Sequence, residues 1–413
     1  MIRPRRAAAV AALAVAIGLT GCDGRAGPVT IEVDRPTAWA DEPVQVRITG
    51  LRAGAEAVVT AEADDGDARE WRSQTTFSAG TDGVVDLTRD APRSGPYEGV
   101  DGMGFLSYLA PTSGDPDETW YIVPDAGVAE VGLRVTVDGA EAARTTIRRV
   151  LLAEKVRVRD LTLDRDKVIG RLFLPPVGSA PRPGVLTIGG SGGGLGMPGM
   201  AALLASRGYP TLSVAYFGLP GLSDELRDIP LETFSTAARL LAAEAQVGGP
   251  VAVVGYSRGT EAALLAAEHF PDLIRGVVLY APSDRTYPGF PHGGPAWTRG
   301  GRPVPPGAIP VGHVRGPLLA IGGTDDKLWP SAQAAYEIEA RLDRARSGQP
   351  HEALVYAGSG HTVGTFPYLP QGIASQHPVT GQWLDLGGTR VGDETARRQG
   401  WPRVLALLDS LGH

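Results

Sequence analysis

The chain has 413 residues, a formal charge of −7 and a single cysteine. This length predicts two or three domains, because single hydrophobic cores stop growing at roughly 250 residues. One cysteine excludes an internal disulfide framework and any Cys-based zinc or iron–sulfur site, and the acidic balance argues against nucleic acid as a partner. Arginine dominates the basic side, with Lys155, Lys167 and Lys327 as the only lysines, but the arginines are scattered and form no patch. With 43% hydrophobic residues, 56 glycines and 34 prolines, the composition is that of a loop-rich globular protein.

The first residues read as an address. Arg3, Arg5 and Arg6 precede an apolar run over residues 7–19, too short to span a bilayer comfortably. Leu19-Thr20-Gly21-Cys22 follows and resembles a bacterial lipobox, in which the signal is cut before the cysteine and lipid is attached to its sulfur. The expectation is a signal peptide over 1–21, lipidation at Cys22, a tether over 22–28 and a membrane-anchored protein on the extracytoplasmic face. A plain secretory signal with an incidental cysteine is the alternative. Diacylglycerol on Cys22 would hold the chain at a membrane surface, at about 0.8 kcal/mol per buried methylene. No later segment is apolar for long enough to cross a membrane.

Residues 29–153 read as a β-sandwich of Ig-like type. Apolar and polar residues alternate over 29–33, 44–48 and 131–137, so side chains two apart share a face. Turn residues at Asp64-Asp65-Gly66, 79–83 and Asp138-Gly139 separate the runs. No catalytic cluster falls in this part.

From 154 to 413 the pattern becomes that of an α/β hydrolase with a mostly parallel, doubly wound sheet. Strands over 156–159, 168–174, 185–188, 211–217, 251–254, 276–280, 318–321 and 353–356 are interleaved with helical patterns over 197–207, 231–245 and 257–269. Residues 282–317 are rich in proline and glycine. A loop that long is expected to be functional, as a pocket wall or lid.

Gly255-Tyr256-Ser257-Arg258-Gly259 follows a strand and opens a helix, the setting of a nucleophile elbow. A serine hydroxyl needs a base, and the order of this arrangement puts a histidine later in the chain with an acid between the two. His361 follows a strand directly, in Gly358-Ser359-Gly360-His361. His292 and His313 lie in the Pro/Gly-rich insert, His269 ends a helix, His351 lies in a polar turn, and His377 and His413 belong to the tail. For the acid, Asp325 and Asp326 compete after the strand over 318–321. Spacing to Pro330 favours Asp326, and Asp284 is an outside candidate. Oxyanion donors are expected from the backbone N–H of Arg258 and from the turn Gly189-Gly190-Ser191-Gly192-Gly193-Gly194. That turn lacks the Lys-Ser/Thr of a phosphate-binding P-loop and the final glycine and acid of a dinucleotide fingerprint.

These motifs resemble those of the type I acyl-CoA thioesterase and bile-acid-CoA:amino acid N-acyltransferase family. The likeness covers nearly all of the chain after the signal. It includes Tyr97-Glu98-Gly99-Val100-Asp101-Gly102-Met103-Gly104, Gly170-Arg171-Leu172-Phe173-Leu174-Pro175-Pro176, the glycine run, Ala215-Tyr216-Phe217, the elbow, Asp325-Asp326 with Trp329, and the loop of His361. The resemblance implies a β-sandwich before a hydrolase domain of the dienelactone-hydrolase type, and a triad of Ser257, Asp326 and His361. It also implies that no metal or organic cofactor takes part. The amino-acid-conjugating members carry cysteine at the nucleophile, whereas serine here fits hydrolysis of an acyl thioester or a related ester. Acyl transfer to an amine or alcohol at the cell surface is the alternative. The lipobox departs from the family pattern and leaves open what carries the acyl group.

Overall fold

The structure, a computed structural model, describes residues 27–124 and 127–412. The expected signal peptide, Cys22 and most of the tether lie outside the described residues.

The first domain is a sandwich of two sheets. One has three antiparallel strands, with Val46–Thr49 between Thr30–Val33 and Val85–Asp86. The other has six, in the spatial order Thr37–Trp39, Ala140–Val150, Val128–Val137, Glu56–Asp64, Glu70–Ser78 and Ala110–Pro111. Alternation does its expected work in Glu70–Ser78. Trp71, Ser73, Thr75 and Phe77 face the core while Arg72 and Gln74 face water. Asp138 and Gly139 both have positive φ, 50° and 77°, and make the two-residue turn between the longest strands. The strand expected over 44–48 begins two residues later, because the Val44 amide donates to Met103 Sδ at 3.2 Å instead of joining the ladder.

The second domain carries an eight-stranded sheet. Its strands are β1 (Arg157–Leu161), β2 (Ile169–Leu174), β3 (Arg182–Ile188), β4 (Thr211–Ala215), β5 (Val247–Tyr256), β6 (Ile274–Tyr280), β7 (Leu318–Gly323) and β8 (His351–Tyr356). They lie in the order β1-β2-β4-β3-β5-β6-β7-β8, antiparallel at the β1 and β2 edge and parallel from β4 to β8. The central strands are buried on both sides, so successive residues feed opposite cores. Val251 and Val253 pack with helices α2 (Glu232–Ala242), α3 (Arg258–His269) and α4 (Ser331–Arg344). Ala252 and Val254 pack with α1 (Pro198–Ser206) and α5 (Arg390–Ser410).

Helices α4 and α5 have no counterpart in the sequence reading. α5 contains Gly392, Gly400 and Pro402, residues that punctuate helices, yet Trp401, Val404 and Leu408 bury its face against the sheet. The stretch 282–317 folds into short paired strands beside α2 and α3, and its Tyr287 and Phe290 form a cavity wall.

The two domains are joined by buried polar contacts. Trp401 Nε1 donates to Asp41 Oδ2 at 2.5 Å, and Arg207 pairs with the same carboxylate at 2.7 Å. Arg398 reaches from α5 to Asp101 at 2.8 Å, and Ser107 Oγ bonds Glu394 at 2.9 Å. The stretch 97–104 thus serves as a connector, with Tyr97 so close to Gly104 that a Cβ there would meet its ring at 2.4 Å.

Candidate active site

Ser257 lies between β5 and α3 with φ 55° and ψ −126°. A non-glycine residue in this region is strained, and such strain persists only where the surroundings impose it. The flanking glycines are part of that imposition. A Cβ on Gly259 would lie 2.4 Å from the carbonyl oxygens of both Ile188 and Gly189, and one on Gly255 would lie 2.5 Å from the Gly259 oxygen. The turn therefore packs backbone on backbone at both glycines.

Ser257 is 5% exposed and His361 2% exposed. Ser257 Oγ lies 2.8 Å from His361 Nε2, and His361 Nδ1 lies 2.9 Å from Asp326 Oδ2. The carboxylate accepts Nδ1–H, which leaves Nε2 to accept the serine proton. The other oxygen of Asp326 accepts the amides of Leu328 at 2.9 Å and Trp329 at 3.3 Å, so the loop after β7 fixes the carboxylate. The Trp329 ring stands edge-on to the imidazole at 5.1 Å and anchors itself by donating Nε1–H to the Ala281 carbonyl.

The remaining candidates fall elsewhere. Asp325 is exposed and accepts the Thr324 hydroxyl, and Asp284 is held by Arg341. His292, His313 and His351 bond Glu225, Glu268 and Asp343, and His269 bonds Arg299. His413 lies outside the described residues.

Of the two glycines expected to supply oxyanion donors, Gly190 lies against Ser257, since a Cβ there would meet Ser257 Cβ at 2.9 Å. Gly189 packs instead against Gly259 and Gly196. Tyr216 donates its hydroxyl to the carbonyls of Gly189 at 2.8 Å and Gly190 at 3.0 Å. Full burial pushes the Tyr216 hydroxyl far up, so it remains a neutral donor. The Arg258 amide, at the first helical position of α3, has no intrahelical acceptor and is free to serve an anion.

Arg258 also contributes below the site. Its guanidinium pairs with Glu261 at 2.5 Å and bonds the carbonyls of Tyr287 and Pro288. Glu261 in turn accepts Trp297 Nε1–H at 2.7 Å. Burial raises the Glu261 carboxyl, opposed by Arg258. The pair ties the insert over 282–317 to α3.

Two cavities meet at Ser257. The first, about 280 Å³, is mostly apolar and walled by Tyr287, Phe290, Leu328, Trp329 and Leu384. The second, about 270 Å³, runs along the glycine turn and is bounded by Trp120 of the sandwich. Trp120 is set there by Nε1–H donation to the Ala374 carbonyl at 3.1 Å, beside bonds from Ile373 and Ala374 to the Asp117 carbonyl. Both domains therefore shape the site.

Three contributors escaped the sequence reading. His377, assigned to the tail, borders both cavities because the hairpin of Ala374–Gln376 and Trp383–Asp385 folds back over the site. Asp393 on α5 holds the histidine loop from both sides, accepting the Gly360 amide at 2.8 Å and the Thr362 hydroxyl. Trp120 gave no signal because nothing local marks it. Among the described residues, no group of three or more His, Cys, Asp or Glu is arranged to hold a metal ion, and no helix is long and apolar enough to cross a membrane.

Sheet order, crossovers and elbow define an α/β hydrolase with an added β-sandwich. Residues 41–162 match the acyl-CoA thioester hydrolase/BAAT N-terminal region, and residues 300–411 match the BAAT/acyl-CoA thioester hydrolase C terminal. Acyl-coenzyme A thioesterase 6 of Mus musculus is 28% identical over 93% of this chain and 96% of its own length. Acyl-coenzyme A amino acid N-acyltransferase 2 of Rattus norvegicus is 28% identical over 89% and 94%. The peroxisomal succinyl-coenzyme A thioesterase of Mus musculus is 26% identical over 92% and 96%. The chain belongs to this family of thioesterase-like hydrolases.

Proposed function

We propose that this protein is a serine hydrolase that cleaves acyl thioesters, or closely related carboxylic esters, through an acyl-enzyme on Ser257. The observation that carries the proposal is the buried relay from Ser257 Oγ to His361 Nε2 and from His361 Nδ1 to Asp326, opening on an apolar cavity. His361 takes the serine proton as Oγ attacks the acyl carbon, and Asp326 stabilises the imidazolium that forms. The negative oxygen of the tetrahedral intermediate is met by the Arg258 amide and the Gly190 side of the turn, where a preorganised donor is worth about 3–4 kcal/mol in kcat. The imidazolium returns its proton as the thiol or alcohol leaves. Water activated by His361 then releases the acid.

A serine rather than a cysteine at 257 favours water as the acceptor. The family also includes N-acyltransferases, so transfer to an amine is the reading to test against. The decisive assay follows thiol release from acyl-CoAs ranging from acetyl-CoA to palmitoyl-CoA, beside p-nitrophenyl esters, with and without glycine or taurine. Free acid as the product, and a loss of at least about 10³-fold in kcat for Ser257→Ala, are expected. Retained turnover in that variant would sink the assignment, and an amide product would move it to acyl transfer.

The lipobox reading extends to location: lipid on Cys22 holds the hydrolase at the outer side of a membrane. Metabolic labelling with a tagged fatty acid tests it. Label that survives Cys22→Ser contradicts it.

A further inference from the structure

His377 and Ser191 form a second polar pair at the site. Ser191 Oγ lies 3.0 Å from His377 Nε2, and both side chains border the two cavities that meet at Ser257. The direction of this bond follows from the other ring nitrogen. The Val379 amide donates to His377 Nδ1 at 3.2 Å, so that nitrogen carries no proton. Burial lowers the pKa of His377 and keeps the ring neutral, which puts its single proton on Nε2. The Phe290 ring packs against the imidazole at 4.9 Å and restrains its orientation. Ser191 Oγ is therefore the acceptor from His377, and its own hydroxyl proton is left to serve another acceptor.

Position says which acceptor. Ser191 directly follows Gly190, the residue of the turn that abuts Ser257. Gly189 is committed to packing against Gly259, and Tyr216 holds both preceding carbonyls. We infer that the Ser191 hydroxyl donates a hydrogen bond to the substrate oxygen that becomes negative when Ser257 attacks, and that His377 is the positioning residue that orients this hydroxyl. The inference rests on Ser257 being the nucleophile. No proton is transferred; the hydroxyl adds a side-chain donor to the backbone donors already present, and its bond strengthens as charge develops.

The test is steady-state kinetics on the fastest-hydrolysed acyl-CoA, with Ser191→Ala, Ser191→Thr, His377→Phe, His377→Gln and Ser257→Ala compared side by side. Ser191→Ala should lower kcat by about 10²-fold with KM changed less than about twofold. Ser191→Thr, which keeps the hydroxyl, and His377→Gln, which keeps a donor, should recover to within about tenfold of the parent. His377→Phe should resemble Ser191→Ala, and a double variant carrying Ser191→Ala with His377→Phe should be no slower than Ser191→Ala alone, because His377 acts through Ser191. Thermal melts identify any variant that loses the fold, and the Thr and Gln variants then decide. A Ser191→Ala enzyme with unchanged kcat, or one impaired only in KM, overturns the inference while Ser257→Ala remains inactive. Turnover by Ser257→Ala overturns the nucleophile assignment instead.

Discussion

The two halves of the site are built by different physics. The nucleophile side is local: five consecutive residues, a strained φ and carbonyl oxygens so close that only glycine fits at 255 and 259. The base side is assembled from distant pieces. Asp326 comes from the loop after β7, His361 from the loop after β8 and Asp393 from α5. Backbone packing fixes the first half, and buried side-chain hydrogen bonds fix the second. Substitutions on the first side should therefore cost stability as well as rate, and those on the second should alter rate and pH response.

The largest expected effect is on the base side. His361→Ala and Asp326→Asn should each lower kcat by about 10³- to 10⁴-fold while leaving the melting temperature near that of the parent. If either variant unfolds, the base side is a stability element and the contrast fails. Next comes Glu261→Ala on the nucleophile side. It leaves the buried Arg258 guanidinium unpaired and should cost about 3–5 kcal/mol in urea unfolding. A smaller cost, about 1–3 kcal/mol, is expected for Gly259→Ala, whose Cβ must displace backbone rather than a side chain.

The smallest effect sharpens the comparison through pH. Burial raises the Asp393 carboxyl above the usual carboxylate range, with Thr362, Arg397 and the Gly360 amide opposing the shift. A raised folded-state value means that the fold binds this proton more tightly than the unfolded chain does. Its stabilising contribution is complete at low pH and is lost as pH rises through the folded value. The stability difference between the parent and Asp393→Asn should therefore move against the parent as pH rises from the acid side through that folded value. Movement in the parent's favour would contradict the burial argument.

This contrast also explains what the sequence made legible. The elbow reads from five residues because its steric demands are local, and the central strands read from their apolar runs because both faces are buried. Chain order and a place directly after a strand picked out His361, and spacing to Pro330 together with the family resemblance separated Asp326 from Asp325. His377 was opaque: its role depends on a hairpin folding back over the cavity, and neighbouring residues carry only turn signals. Asp393 and α5 were hidden for a related reason. Gly392, Gly400 and Pro402 weaken the helical pattern, and only packing against the sheet overrides it. The stretches that carry the family resemblance gained physical meaning as well, since Asp101 ties the sandwich to α5 and Tyr216 clamps the glycine turn.

The central claim is that Ser257 is an activated nucleophile and His361 its activator. Covalent labelling with a fluorophosphonate, mapped by peptide mass spectrometry, tests it most directly. The account predicts one modified residue, Ser257, with labelling abolished in Ser257→Ala and slowed by orders of magnitude in His361→Ala. Labelling at another residue, or undiminished labelling without His361, would contradict it.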